Sequence, residues 1–272
     1  MPYQVIQGKK MYYEEYGEGE VVVLLNGIMM STASWLPFID LLSEDYRVLL
    51  VDLLDQGRSD KADCEYDQGM HVEMLKELFE KLNYEKVHLF GISYGGEVAQ
   101  LFAIKYGYML KSLILSNTTS YTNNSMKELE RAWDYAASTN DGSIFFSVTM
   151  PSIYSHQFYE KNHDWLKKRE KQLDELLDKN WYDGFRRAIR SAHNFNTTDQ
   201  LHKINLPTLI ISSDTDTITP VEYQEVLYEN IPNAKWVLIK DSGHASMYEK
   251  PYEFISILIG FLKSVNYKIE IL

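Results

Sequence analysis

A chain of 272 residues with 45% hydrophobic content is long enough for one large α/β domain, or for a core domain carrying an insertion. Its formal net charge of -12 argues against nucleic acid and anionic membranes as partners, since both need a basic face, and leaves a small neutral substrate open. The single cysteine, Cys64, excludes a disulfide framework and a cysteine-ligated zinc site and fits a reducing compartment; Met1-Pro2-Tyr3-Gln4 lacks the pattern of a signal peptide, and the longest apolar stretch, Phe254 to Leu262, is too short to span a membrane, so a cytoplasmic protein is expected.

Tyr3 to Gly8 and Lys10 to Tyr16 alternate as two strands joined at Gly8-Lys9, and Gly17-Glu18-Gly19 is a turn. Val21 to Leu25 is a continuous β-branched and leucine run, the pattern of a strand buried on both faces of a parallel sheet. It ends at Asn26-Gly27. Ser34 is placed to cap a helix through Trp35, Phe38, Ile39 and Leu42. Tyr46 to Val51 is the next buried strand, ending at Asp52. A helix over Asp67 to Leu82 puts Val72, Leu75, Leu78, Phe79 and Leu82 on one face. Lys86 to Phe90 is a strand, Glu97 to Tyr106 a helix and Leu110 to Leu115 a further strand. This order predicts a doubly wound, mostly parallel α/β sheet, with ligands at the carboxyl ends of its strands.

From Thr118 the texture changes. Helical patterns cover Met126 to Ala137, Ser143 to Val148, Gln157 to Tyr159, Asp164 to Leu177 and Trp181 to His193, with many aromatics and no buried strand. The alternative to an insertion is a separate helical domain. The strand pattern resumes at Leu206 to Ser212, so residues 118–205 read as a helical lid inserted in a core of 1–117 and 206–272. Val221 to Glu229 is then a helix, Trp236 to Ile239 a strand and Tyr252 to Leu262 the closing helix.

The chemistry centres on Gly91-Ile92-Ser93-Tyr94-Gly95, a G-x-S-x-G turn between a strand and a helix. A serine at such an apex is forced into a strained conformation that lifts its hydroxyl out of the sheet, and the flanking glycines remove collisions with the crossing chain. With glycine near ~7% of an average chain, the pentapeptide alone has roughly a one-in-ten chance of occurring in a chain this long, so context must decide. A serine hydroxyl needs a base, and the base needs an orienting acid. Both follow in the expected order: Asp216 after the strand that resumes the sheet, and His244 after the last strand.

With these residues in place, the chain resembles the α/β-hydrolase superfamily over nearly its whole length, closest to small lidded esterases, lactonases and C–C bond hydrolases. Gly91 to Gly95 resembles the family elbow, Asp216 with Pro220 the acid loop, Gly243-His244 with Glu249 and Pro251 the histidine loop, and Gly57-Arg58-Ser59-Asp60 the turn after the strand ending at Asp52. Two departures stand out: Asn26-Gly27 replaces the usual His-Gly, and Asp55-Gln56-Gly57 replaces the usual Gly-His-Gly. Asp214 competes for the acid role, and the four-residue spacing to Pro220 favours Asp216.

The resemblance implies that Ser93 attacks a carbonyl, His244 shuttles the proton, Asp216 holds the imidazole, and the backbone amides of Ile28 and Tyr94 form the oxyanion hole, with no metal or organic cofactor. The Gly27-Ile28-Met29 run lacks a Gly-Gly-Gly form, which favours modest acyl groups. Met29, Trp133, Phe146, Tyr154 and Trp181 are candidates for the pocket wall. Asp52 is expected to order its loop through Arg58 or backbone amides, and His88 to be a satisfied core histidine. His71, His156, His163, His193 and His202 are expected at the surface or in the lid, Cys64 is incidental, and the mixed charges of Asp164 to Lys179 read as a solvated face. The functional expectation is a serine hydrolase for a small carboxylic ester, lactone or thioester. The alternatives are a C–C bond hydrolase with the same triad and a non-catalytic ligand-binding, signalling relative. Oligomeric state stays open.

Overall fold

In the computed structural model, residues 2–266 are described. The chain opens with an antiparallel hairpin, β1 Tyr3–Ile6 and β2 Lys9–Tyr16. The turn falls at Gln7-Gly8, both at positive φ, one residue earlier than expected; this is the backbone a two-residue hairpin turn demands. β3 Glu20–Leu25 follows. A 3-10 turn over Thr32–Phe38 then leads into α1 Ile39–Ser43 and β4 Tyr46–Val51. The capping position of that turn is Ser31, not Ser34. Next come α2 Gly69–Lys81, β5 Val87–Ile92, α3 Tyr94–Tyr106 and β6 Leu110–Ser116.

Five α-helices and then a 3-10 turn over Thr198–Lys203 separate β6 from the next strand; the α-helices are α4 Asn124–Ser138, α5 Gly142–Ile153, α6 His156–Lys161, α7 His163–Leu176 and α8 Lys179–Ala192. Asn123, Asp141, Ser155 and Asp178 cap α4, α5, α6 and α8, each accepting from the backbone N–H three residues on. The segment leaves and returns at one point, where Tyr121 bridges Asn196 and the Thr197 amide donates to Ser120 O at 2.8 Å. β7 Thr208–Ser213, α9 Val221–Asn230, β8 Ala234–Ile239, α10 Ser246–Glu249 and α11 Pro251–Asn266 complete the chain.

The eight strands form one sheet in the order β1-β2-β4-β3-β5-β6-β7-β8, parallel from β4 to β8. Alternation along the central strands buries both faces. Val23, Leu25, Leu49, Val51 and Leu89 pack toward α2 and α3. Val22, Leu24, Val48, Leu50 and Phe90 pack toward Trp35, Phe38, Phe254 and Leu258. A strand buried on both sides has no polar face, which is why these segments read as unbroken apolar runs. β3 has β4 on one side and β5 on the other, so the chain changes winding direction there. The carboxyl ends of β3 and β5 flank the crevice where such sheets hold ligands.

Candidate active site

Ser93 follows β5 at φ 52° and ψ -121°, a backbone conformation that side chains rarely adopt. The glycines around it permit the close crossing. A Cβ on Gly91 would sit 2.2 Å from the Gly95 carbonyl oxygen, and one on Gly95 would sit 2.6 Å from that of Asn26. The Ser93 amide donates to Ser116 O at 2.9 Å, and its carbonyl takes the first helical bonds of α3 from Gly96 and Glu97. The strained turn is therefore pinned on both sides.

Three far-separated side chains meet above this turn. The Ser93 hydroxyl lies 2.8 Å from Nε2 of His244, and Nδ1 of His244 lies 2.8 Å from Oδ2 of Asp216. Asp216, not Asp214, faces the imidazole. Its carboxylate also accepts from the amides of Ile218 and Thr219, both at 2.9 Å, the Thr219 hydroxyl at 2.8 Å and Asn117 Nδ2 at 3.0 Å. Burial opposes its charge, but His244 alongside and the donors from Asn117 and Thr219 outweigh it and hold the carboxyl below its usual range. An ionised Asp216 accepts from Nδ1–H, which leaves Nε2 as the acceptor for the Ser93 proton. Asn117 lies just past β6 at φ 44° and ties Ser213 and Ser246 into the same network. Sequence reasoning missed it.

The Ile28 and Tyr94 amides donate to no other described residue. Tyr94 opens α3, where the first N–H groups lack intrahelical acceptors. Gly27 brings the β3 loop against the elbow: a Cβ there would be 3.7 Å from Cβ of Ser93. Asn26 and Gln56, the two departures noted above, form one network. Asn26 Nδ2 donates to Val51 O at 2.9 Å and approaches Gln56 Oε1 at 3.3 Å, while its own oxygen accepts from Trp35 Nε1 at 2.8 Å. Gln56 Nε2 donates to the Gly27 carbonyl at 3.1 Å, which also takes the Met30 amide at 3.0 Å. In a trans peptide the Ile28 N–H points opposite to that carbonyl, so anchoring the oxygen aims the amide away from Gln56. Asp52 accepts from the amides of Thr32 at 2.7 Å and Arg58 at 2.9 Å and orders the same loop through backbone groups.

A cavity of about 150 Å³ opens above Ser93 and His244. Of the candidates for its wall, Met29, Trp133, Tyr154 and Trp181 line it, and so do Ile28, Phe145, Met150, Leu173, Leu177 and Arg169. Phe146 does not. It packs with Met150, Tyr154, Leu166 and Ala245 in the adjoining apolar cluster. Successive helical residues point about 100° apart, so Phe145 takes the wall and Phe146 turns from it. The charged residues of Asp164 to Lys179 are mostly exposed, but Arg169, Leu173 and Leu177, spaced by four, turn one stripe of that segment into the cavity.

A side cavity of about 50 Å³ shares Ile28, Ser93 and Trp133 and adds Glu97 and Glu130. Burial raises the Glu97 carboxyl to about 8, against a hydrogen bond from Gln68. His71 is another correction. It is buried, with Nε2 3.0 Å from the Tyr94 hydroxyl, which meets Ser191 of α8 at 2.8 Å. Burial lowers its pKa to about 4, so the ring is neutral at neutral pH. Among the other histidines, His156, His163, His193 and His202 are exposed, and His88 bonds Ser112 at 2.7 Å and Glu20 at 3.1 Å within the core. Cys64 is free and exposed. Among the described residues no group of histidine, cysteine and acidic side chains is arranged to hold a metal, and no helix is long and apolar enough to cross a membrane.

A nucleophile elbow, an Asp–His pair and a roofed apolar cavity on a mostly parallel sheet define a class of hydrolase, and comparison with known proteins agrees. The alpha/beta hydrolase fold family matches residues 20–251. The chain is 30% identical to a proline iminopeptidase from Lactobacillus acidophilus, over 95% of this chain and 98% of that one. It is 26% identical to 3-oxoadipate enol-lactonase 1 from Acinetobacter baylyi, over 96% of each. The solved structure of MGS-M2, an alpha/beta hydrolase enzyme from a Medee basin deep-sea metagenome library, superposes with a TM-score of 0.95 at 38% identity, covering 99% of both chains. The chain belongs to the alpha/beta hydrolase family and is a serine-hydrolase-type enzyme of that family.

Proposed function

We propose that this enzyme cleaves a small carboxylic ester, lactone or thioester through an acyl-enzyme on Ser93. The observation that carries the reading is the continuous chain from Ser93 through His244 to Asp216, each link 2.8 Å, at the floor of an apolar cavity. Ser93 Oγ attacks the carbonyl carbon as its proton passes to Nε2 of His244. The oxyanion takes hydrogen bonds from the Ile28 and Tyr94 amides, a contribution of about 3 kcal/mol per donor to the transition state. His244 then returns the proton to the leaving oxygen or sulfur, and the acyl group stays on Ser93. Water repeats the sequence and frees the acid. Residues 118–205 act as the lid that keeps bulk water from the acyl-enzyme.

The iminopeptidase relatives support a second reading, removal of an N-terminal residue from a peptide, because Glu97 and Glu130 line the side cavity next to Ser93. Both carboxyls, however, are already engaged, by Gln68 and by His193. No acidic side chain is among the described residues lining the main cavity. The ester reading is therefore preferred.

The test is initial-rate hydrolysis of 4-nitrophenyl acetate, butyrate and octanoate beside prolyl-4-nitroanilide, for the wild type and Ser93→Ala. The reading expects ester turnover to exceed anilide turnover and to fall roughly 10⁴-fold or more in the variant. Equal rates in the two proteins would end it. Anilide turnover exceeding ester turnover would install the second reading.

A further inference from the structure

Arg169 is out of keeping with its surroundings. It lies on α7, half-buried, in the wall of an otherwise apolar cavity. Among the described residues lining that cavity it is the one permanently charged side chain. Its guanidinium sits 5.3 Å from the centroid of the Trp165 ring, a cation–π contact that fixes the group without neutralising it. Among the described residues it makes no ion pair and no hydrogen bond, in a chain with 39 acidic residues against 27 basic ones. Five of the other six arginines, Arg58, Arg131, Arg186, Arg187 and Arg190, each meet a carboxylate, and the sixth, Arg47 in β4, is not among the residues lining the cavity. Glu170, next in sequence, pairs with Lys167, and Glu249, which with Arg169 acts on the Tyr154 hydroxyl, accepts from the amides of Ser155 and Gly243 and from the Ser155 hydroxyl.

A guanidinium held against an apolar wall loses hydration and gains most from a planar anion, which it can grip with two parallel hydrogen bonds. We propose that Arg169 anchors a carboxylate carried by the substrate, so that the preferred substrates are esters or lactones with a carboxylate remote from the scissile carbonyl. The proposal rests on the ester-hydrolase reading above and narrows it to one substrate class. Leu173 and Leu177 on the same face, with Met150 and Phe145, enclose the aliphatic stretch between the two ends.

The experiment compares substrates of one length that differ only in the terminal group. On the acyl side these are 4-nitrophenyl hexanoate and the 4-nitrophenyl monoester of adipic acid. On the leaving side they are the butyrate esters of 4-ethylphenol and of 4-hydroxyphenylacetate. The wild type should favour the acid member of one pair in kcat/KM by roughly 10- to 100-fold. Arg169→Met should abolish that preference by lowering kcat/KM for the acid member more than for its neutral partner, and Arg169→Lys should keep part of it. Preference for neither acid, or equal losses on acid and neutral members in Arg169→Met, overturns the carboxylate site. Since neutral-ester turnover and its loss in Ser93→Ala are read in the same assay, failure of this proposal is separable from failure of the ester-hydrolase reading.

Discussion

At the scale of single residues, the proposed oxyanion hole turns on where two backbone N–H groups point. Gln56 holds the Gly27 carbonyl at 3.1 Å, and Asn26 ties Gln56 to β4 and to Trp35. Read one at a time, Asn26 and Gln56 are departures from a family pattern; together they are a joint replacement that braces the loop carrying the Ile28 amide. Gln56→Leu should lower kcat roughly 10- to 100-fold with KM little changed, because the lost contact serves the oxyanion more than the bound ester. Equal kcat in steady-state ester hydrolysis would remove Gln56 from this role. Asp216→Asn should cut kcat by roughly 10⁴, since an amide no longer dictates which imidazole nitrogen carries the proton; the same assay checks it. The triad was legible in the sequence because each member follows a strand that announces itself by composition. Asn117 was not: a lone asparagine after a strand looks like any turn residue, and its bond to Asp216 spans 99 positions.

At the scale of elements, α8 is tied to the loop that carries Asp55 and Gln56. Arg187 grips both carboxylate oxygens of Asp55, at 3.0 and 2.6 Å, and Gly184 lets α8 approach closely, since a Cβ there would lie 3.1 Å from Asp55. Asp55 is at φ 72° and immediately precedes Gln56. The Asp55 side chain is 1% exposed and that of Arg187 15%, so removing the arginine strands a buried charge. Arg187→Met should therefore lower stability by about 3 kcal/mol, read from chemical denaturation midpoints, and speed hydrogen exchange in α8. Unchanged exchange in α8 would show that the pair does not latch the roof. The helices of residues 118–205 were visible as patterns, but their inward faces were not fully so. Phe145 and Phe146 are adjacent and equally apolar, and only the docked orientation of α5 decides between them. His71 carried a signal: with Leu75 and Leu78 it falls on the buried stripe of α2. Arg169 carried none, because a cation on a charged helix resembles its solvated neighbours until the fold turns it inward.

At the scale of the whole molecule, buried titratable groups make stability depend on pH. Glu97 is 5% exposed, and its carboxyl stands near 8 in the folded protein against an ordinary value of about 4.3 in the unfolded chain. Its folded pKa is raised, so its contribution is fully present below about pH 4.3 and is lost as pH rises toward 8, at up to about 1.4 kcal/mol per pH unit. Glu97→Gln should flatten the fall in denaturation midpoint between pH 5.5 and 8.5; an unaltered slope would contradict it. The mostly parallel sheet and its buried central strands could be anticipated, because burial on both faces leaves a plain apolar signature. The Arg187–Asp55 latch, joining residues 132 positions apart, could not. The proposed function rests on one event, the activation of a single hydroxyl by an imidazole from the other end of the chain. Reaction with a fluorophosphonate, followed by intact-mass and peptide mass spectrometry, tests that event directly. The wild type should take up one equivalent on Ser93, and His244→Ala should label roughly 10³-fold more slowly or worse. No labelling of the wild type, or equal rates in the two proteins, would contradict the account.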